Sequence, residues 1–129
     1  MEKKVAARFG KGTAKFVKSM NIEDTRAYCL SLAKATEDLK WGNELCFCIG
    51  GKIFCMMPLE GELSITFKVR PDEFEELSIR EGFKPAAYLA RAKWVTLKDI
   101  SVLNRRELEA FIKQSYDLIS KKAPKQKKK

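Results

Sequence analysis

The sequence predicts an α+β fold, a two-layer sandwich of mainly antiparallel sheet with helices on one face, in the order α-β3-α-β2-α. Three observations carry this. A Gly50-Gly51 pair separates two apolar runs, Leu45–Ile49 and Lys52–Met57, and supplies the positive φ angles of a two-residue hairpin turn. Residues 63–69 alternate strictly, with Leu63, Ile65, Phe67 and Val69 on one side and Ser64, Thr66 and Lys68 on the other. Helical stripes with their own start signals precede, interrupt and follow these strands.

Taken in order, Asn21 can cap a first helix, with Glu23 and Asp24 near the positive end of its dipole. Ile22, Leu30 and Ala33, with Ala27 and Cys29 between them, support about three turns. Residues 36–43, TEDLKWGN, read as a polar connection holding one aromatic, Trp41, beside Gly42. The hairpin follows, and Pro58 ends its second strand. Counting back from the Gly-Gly turn places Ile49 opposite Lys52, Cys48 opposite Ile53 and Cys46 opposite Cys55. On that register Leu45, Phe47, Ile49, Phe54 and Met56 share one face. Cys46, Cys48, Ile53, Cys55 and Met57 share the other. Pro71 suits the first turn of a second helix, Asp72, Glu73, Glu75 and Glu76 its positive end, and Gly82 its stop. Residues 83–87 form a short strand, 88–92 a turn or single helical turn, and 93–98 another strand. The last helix opens on Asn104 with Glu107 three positions on. Leu108, Phe111, Ile112, Ser115, Tyr116 and Ile119 recur along it at threes and fours.

Charge divides the chain more sharply than its total of +9 indicates. Residues 1–20 carry six basic side chains against one acid, and residues 121–129 carry six with none; residues 21–120 net −2. The expected organisation is therefore a basic N-terminal extension at 1–19, a nearly neutral domain at 20–123 and a basic tail at 124–129. Basic ends attract nucleic acid by neutralising phosphates, or simply keep a small protein soluble. No apolar run reaches membrane-spanning length, and no secretory signal is visible, so no membrane partner is expected and a cytoplasmic location follows.

Chemistry is sparse. Histidine is absent, which removes the usual neutral-pH general base and the imidazole-dependent nucleophile and metal sites. The glycine pair lacks the features of a phosphate loop. Cys29, Cys46, Cys48 and Cys55 read as free, structural thiols, because CxC plus a single cysteine lacks zinc-knuckle spacing. No catalytic residue, cofactor or metal is expected. Trp41, Lys52, Lys68, Tyr88, Arg91, Lys93 and Trp94 form the candidate patch for nucleic acid or another ligand, since aromatics stack bases and cations meet phosphates.

NIEDTRAYCLSL, ATEDLKWGNELCFCIGGKIFCMM, LSITFKV before PDEFEEL, and KPAAYLARAKWVTL ahead of the closing helix together resemble the MmcQ/YjbR-like family. The resemblance covers residues 20 to about 123. It implies a small bacterial cytoplasmic domain, with a fold similar to secretion chaperones and frataxin, a DNA-binding label and no agreed enzymatic activity. Its recurring positions fall on Glu37, Asp38, Trp41, Gly42, Gly51, Lys52, Lys68, Tyr88, Lys93 and Trp94. Where relatives commonly carry histidine, this chain has Asn43 and Lys93. A non-enzymatic DNA-binding domain is the leading expectation. The alternative is a protein-interaction or chaperone-like module, or self-association, through an apolar face of the 45–57 hairpin.

Overall fold

The computed structural model describes residues 21–122; the predicted basic extension at 1–19 and the tail at 124–129 lie outside the described residues. The elements are α1 (Ile22–Ser31), β1 (Thr36–Lys40), β2 (Glu44–Ile49), β3 (Lys52–Pro58), β4 (Ile65–Lys68), α2 (Pro71–Ile79), β5 (Phe83–Pro85), β6 (Trp94–Leu97) and α3 (Arg105–Lys122), with 3₁₀ turns at Ala90–Ala92 and Ile100–Val102. The six strands form one antiparallel sheet in the order β1-β2-β3-β4-β6-β5. The α+β class with helices on one face is therefore present. Among the described residues no helix is long and apolar enough to cross a membrane.

Two expectations need correction. TEDLK is a strand, β1, and not a connection, so four strands precede α2. Its first four residues are exposed, so burial leaves no apolar alternation in the sequence; pairing with β2 holds it in place at the sheet edge. The hairpin register also differs. Ile49 and Cys48 pair with Lys52 and Ile53 as counted from the turn, but Phe47 then pairs with Cys55, leaving Phe54 as the extra residue of a β-bulge. Cys46 lies opposite Met56, not Cys55, and Leu45 lies opposite Met57. The bulge turns both Phe54 and Cys55 toward the helices and reverses the predicted facing of Cys55, Met56 and Met57. The hairpin stays apolar on both faces, with Phe47, Cys55 and Met57 under the helices and Cys46, Cys48, Ile53 and Met56 on the other side. None of its apolar side chains is fully exposed.

The core lies between sheet and helices. Phe47, Phe54, Cys55, Met57, Ile65, Phe67, Val95 and Leu97 come from the strands and Leu108 and Ile112 from α3, each at most 1% exposed. Rings from α3 meet the sheet, with Phe111 stacked 5.4 Å from Phe67 and Tyr116 edge-on 5.3 Å from Phe54. Fully buried Ser115 joins the layers by polar contact: its Oγ accepts from the Lys68 backbone N–H at 2.9 Å and donates to the Phe54 carbonyl at 2.6 Å. Both helix starts predicted from asparagine are present, as reciprocal Asn21–Asp24 and Asn104–Glu107 hydrogen bonds.

Candidate functional site

The second sheet face carries no helix. Register places Asp38, Lys40, Glu44, Cys46, Met56, Thr66, Lys68, Lys84 and Thr96 on it. At its centre Thr66 and Thr96, directly paired across β4 and β6, share a hydroxyl hydrogen bond of 2.8 Å. Over them lies a cleft of about 610 Å³. Its floor is Glu44, Met56, Thr66 and Thr96; its walls are Trp41 from the β1–β2 turn and Ala86 to Leu89 from the segment after β5.

The two rim aromatics are 70% (Trp41) and 103% (Tyr88) exposed. Both have left-handed backbones, at φ 53° and 66°. That region is rare for bulky side chains and costs about 1–2 kcal/mol per residue. Tyr88 occupies the third position of a turn closed by Leu89 N–H to Ala86 C=O at 3.2 Å, a place where a positive φ ordinarily selects glycine. Neither ring gains burial in exchange. Strain held at exposed aromatics is characteristic of ligand-contacting positions.

Lys68 steadies this segment from beneath. Its side chain, 9% exposed, donates from Nζ to the Ala92 carbonyl, tying the 3₁₀ turn to the sheet. Backbone bonds from Ala86 N–H to Trp94 C=O, Trp94 N–H to Leu89 C=O and Val69 N–H to Lys93 C=O complete the tether.

The structure gathers only part of the predicted patch. Trp41 and Tyr88 face one cleft. Lys68 lies on the same face but is buried, and Arg91 is exposed three residues beyond Tyr88. Lys93 turns toward α2, its ammonium 5.0 Å from the centre of the Phe74 ring. Trp94, set opposite Lys68 on this same face, is 7% exposed and offers no free ring face. Lys52, at the Gly-Gly turn, opens β3 four residues before Met56, at the far end of that strand from the cleft. Met56, Glu44, Thr96 and Lys84 were missed; the alternation of β4 pointed Thr66 to this face, but its partner strand is thirty residues away.

Among the described residues no three Cys, Asp or Glu side chains are grouped so that they could hold a metal ion. Burial pushes the Cys46 thiol up to about 11, with Cys48 and Glu44 adding to the shift. Cys55, hydrogen-bonded to Cys29 and fully enclosed, is raised well above the ordinary range. These are protonated core groups, as free thiols in this setting should be. At the β1 edge Arg26 holds Glu37 through bonds of 2.7 and 2.6 Å, keeping its carboxyl below the usual carboxylate range.

A comparison with curated proteins finds no match. Among solved structures, a Deinococcus radiodurans protein with the family domain DUF419 is similar at TM-score 0.75 and 22% identity, over 84% of each chain. A Pseudomonas syringae protein is similar at TM-score 0.65 and 20% identity, over 77% of this chain and 98% of that one. At such identities the likeness is one of fold. The sequence itself matches the YjbR family model over residues 30–118, a span that holds all six strands, both rim aromatics and most of α3, and the chain belongs to that family.

Proposed function

We propose that this protein is a non-enzymatic DNA-binding domain that engages its partner through the helix-free sheet face. YjbR-family proteins are small, non-enzymatic and described as DNA-binding, with no process assigned. The observation that carries the choice of face is the pair Trp41 and Tyr88, both solvent-exposed on strained backbone at the rim of one cleft. Lys84, which register places beside Thr96, and Arg91 lie exposed close to that rim and suit phosphate contact. The excess charge of the chain ends adds sequence-independent attraction. Of the apolar hairpin residues on which the protein-interaction alternative depends, Cys46, Cys48, Cys55 and Met57 are buried, while Ile53 and Met56 are half-buried.

The test is a salt titration of DNA binding by the full chain and by a Lys84→Glu, Arg91→Glu variant. Loss of two phosphate contacts should flatten the log–log salt slope by about 1.5 to 2. An unchanged slope would remove this face from the interface. No binding even at low salt would end the DNA reading.

A further inference from the structure

We infer that the cleft is a pocket for one unpaired nucleobase bearing an exocyclic amine, drawn from a DNA single strand. The inference rests on the DNA-binding reading and narrows it to a substrate class. Three features converge on it. The rim rings present faces, and a base offers its own face to an aromatic only when it has left the duplex stack. The floor is graded: Met56 is apolar, while the coupled hydroxyls of Thr66 and Thr96 supply both a donor and an acceptor. Glu44 supplies a carboxylate that forms no ion pair with any described residue. A carboxylate accepts from an exocyclic amine such as cytosine N4 and rejects the carbonyl that thymine presents at the same place.

Charge fixes the orientation. Glu44 repels phosphate from the cleft, whereas Lys84 and Arg91 attract it outside, so the base enters and the backbone stays on the rim. The volume, about 610 Å³, falls within the usual span for small-ligand sites and admits a nucleoside with water. Tyr88 on its glycine-like turn and Trp41 beside Gly42 are then positioning strains held for stacking.

The experiment titrates the full chain with cytosine and thymine homotetranucleotides and with a blunt duplex, following tryptophan fluorescence and, separately, anisotropy of a labelled strand. Both oligonucleotides carry the same phosphates, so the basic chain ends weight them equally and any difference reports the cleft. Cytosine should bind about tenfold more tightly than thymine and quench Trp41, and Glu44→Gln should narrow that ratio. Trp41→Ala should weaken binding about tenfold, while Trp41→Phe should keep the affinity and abolish the quenching. Tyr88→Gly supplies a second variant whose ring makes no core contact to lose. Equal affinity for cytosine, thymine and duplex, indifferent to Trp41→Ala, would overturn the base pocket and leave charge-driven DNA binding standing. Absence of any binding at low salt would remove both.

Discussion

Replacing Tyr88 by glycine should make this protein more stable and less able to bind. Tyr88 is fully exposed, so deleting the ring forfeits no buried apolar area. Its φ of 66° lies in the left-handed region, and release from it gains about 1–2 kcal/mol. Glycine costs about 0.5–1 kcal/mol through the greater freedom of the unfolded chain. Taking the centres of the two ranges, the balance is a net stabilisation of about 0.75 kcal/mol. Urea denaturation followed by far-UV circular dichroism resolves a change of that size as a rise in midpoint at constant slope. The same variant should bind single-stranded DNA about tenfold more weakly. Opposite movement of the two readouts is the signature of backbone strain retained for contact. A destabilisation of 1 kcal/mol or more would refute the reasoning, since it would mean that the ring holds the fold together and is no free rim residue.

Other perturbations address the scaffold. Ser115→Ala strands the Lys68 N–H and the Phe54 carbonyl in the core and should cost about 2–4 kcal/mol in urea melts, whereas Ser120→Ala in the same helix should stabilise slightly through helix propensity. Gly82→Ala should cost about 2–4 kcal/mol by the same assay, because the added methyl meets Val102 Cγ2 at 2.7 Å on a backbone at φ +89°. Stability should fall as pH rises from 9 through 11: the folded state keeps the Cys46 proton while the unfolded thiol, at about 9, releases it, so the unfolded chain binds fewer protons in that window. Alkylation of native protein near neutral pH should correspondingly leave all four cysteines unmodified until denaturant is added.

Elements that carry their own signal were legible from sequence. The asparagine starts of α1 and α3, Pro71 at the head of α2, the Gly-Gly turn and the alternation of β4 each predicted the element that is present. β1 was not legible because an edge strand with an exposed surface has no periodic burial to imprint; its place comes from Leu39 meeting Leu45 and Glu37 meeting Phe47 across β2. Nor was the bulge, which contains no glycine and shows itself only when strand registers are compared. The site divides the same way. Exposed aromatics can be suspected singly, as Trp41 and Tyr88 were, but their shared cleft depends on β4 pairing with β6 across the α2 insertion. Trp94 shows the converse, an aromatic that its strand sets opposite Lys68 on the same sheet face but that is buried there.

One surplus residue in β3 sets the parity of everything downstream in that strand. Were Phe54 instead to pair regularly with Phe47, Met56 would swing inward as Cys55 and Met57 swung out, and the cleft would lose its apolar floor. Regular pairing at this point is thus equivalent to inverting a ribbon, which makes the bulge that absorbs one residue between the Gly-Gly turn and Met56 as consequential for recognition as any side chain on the rim.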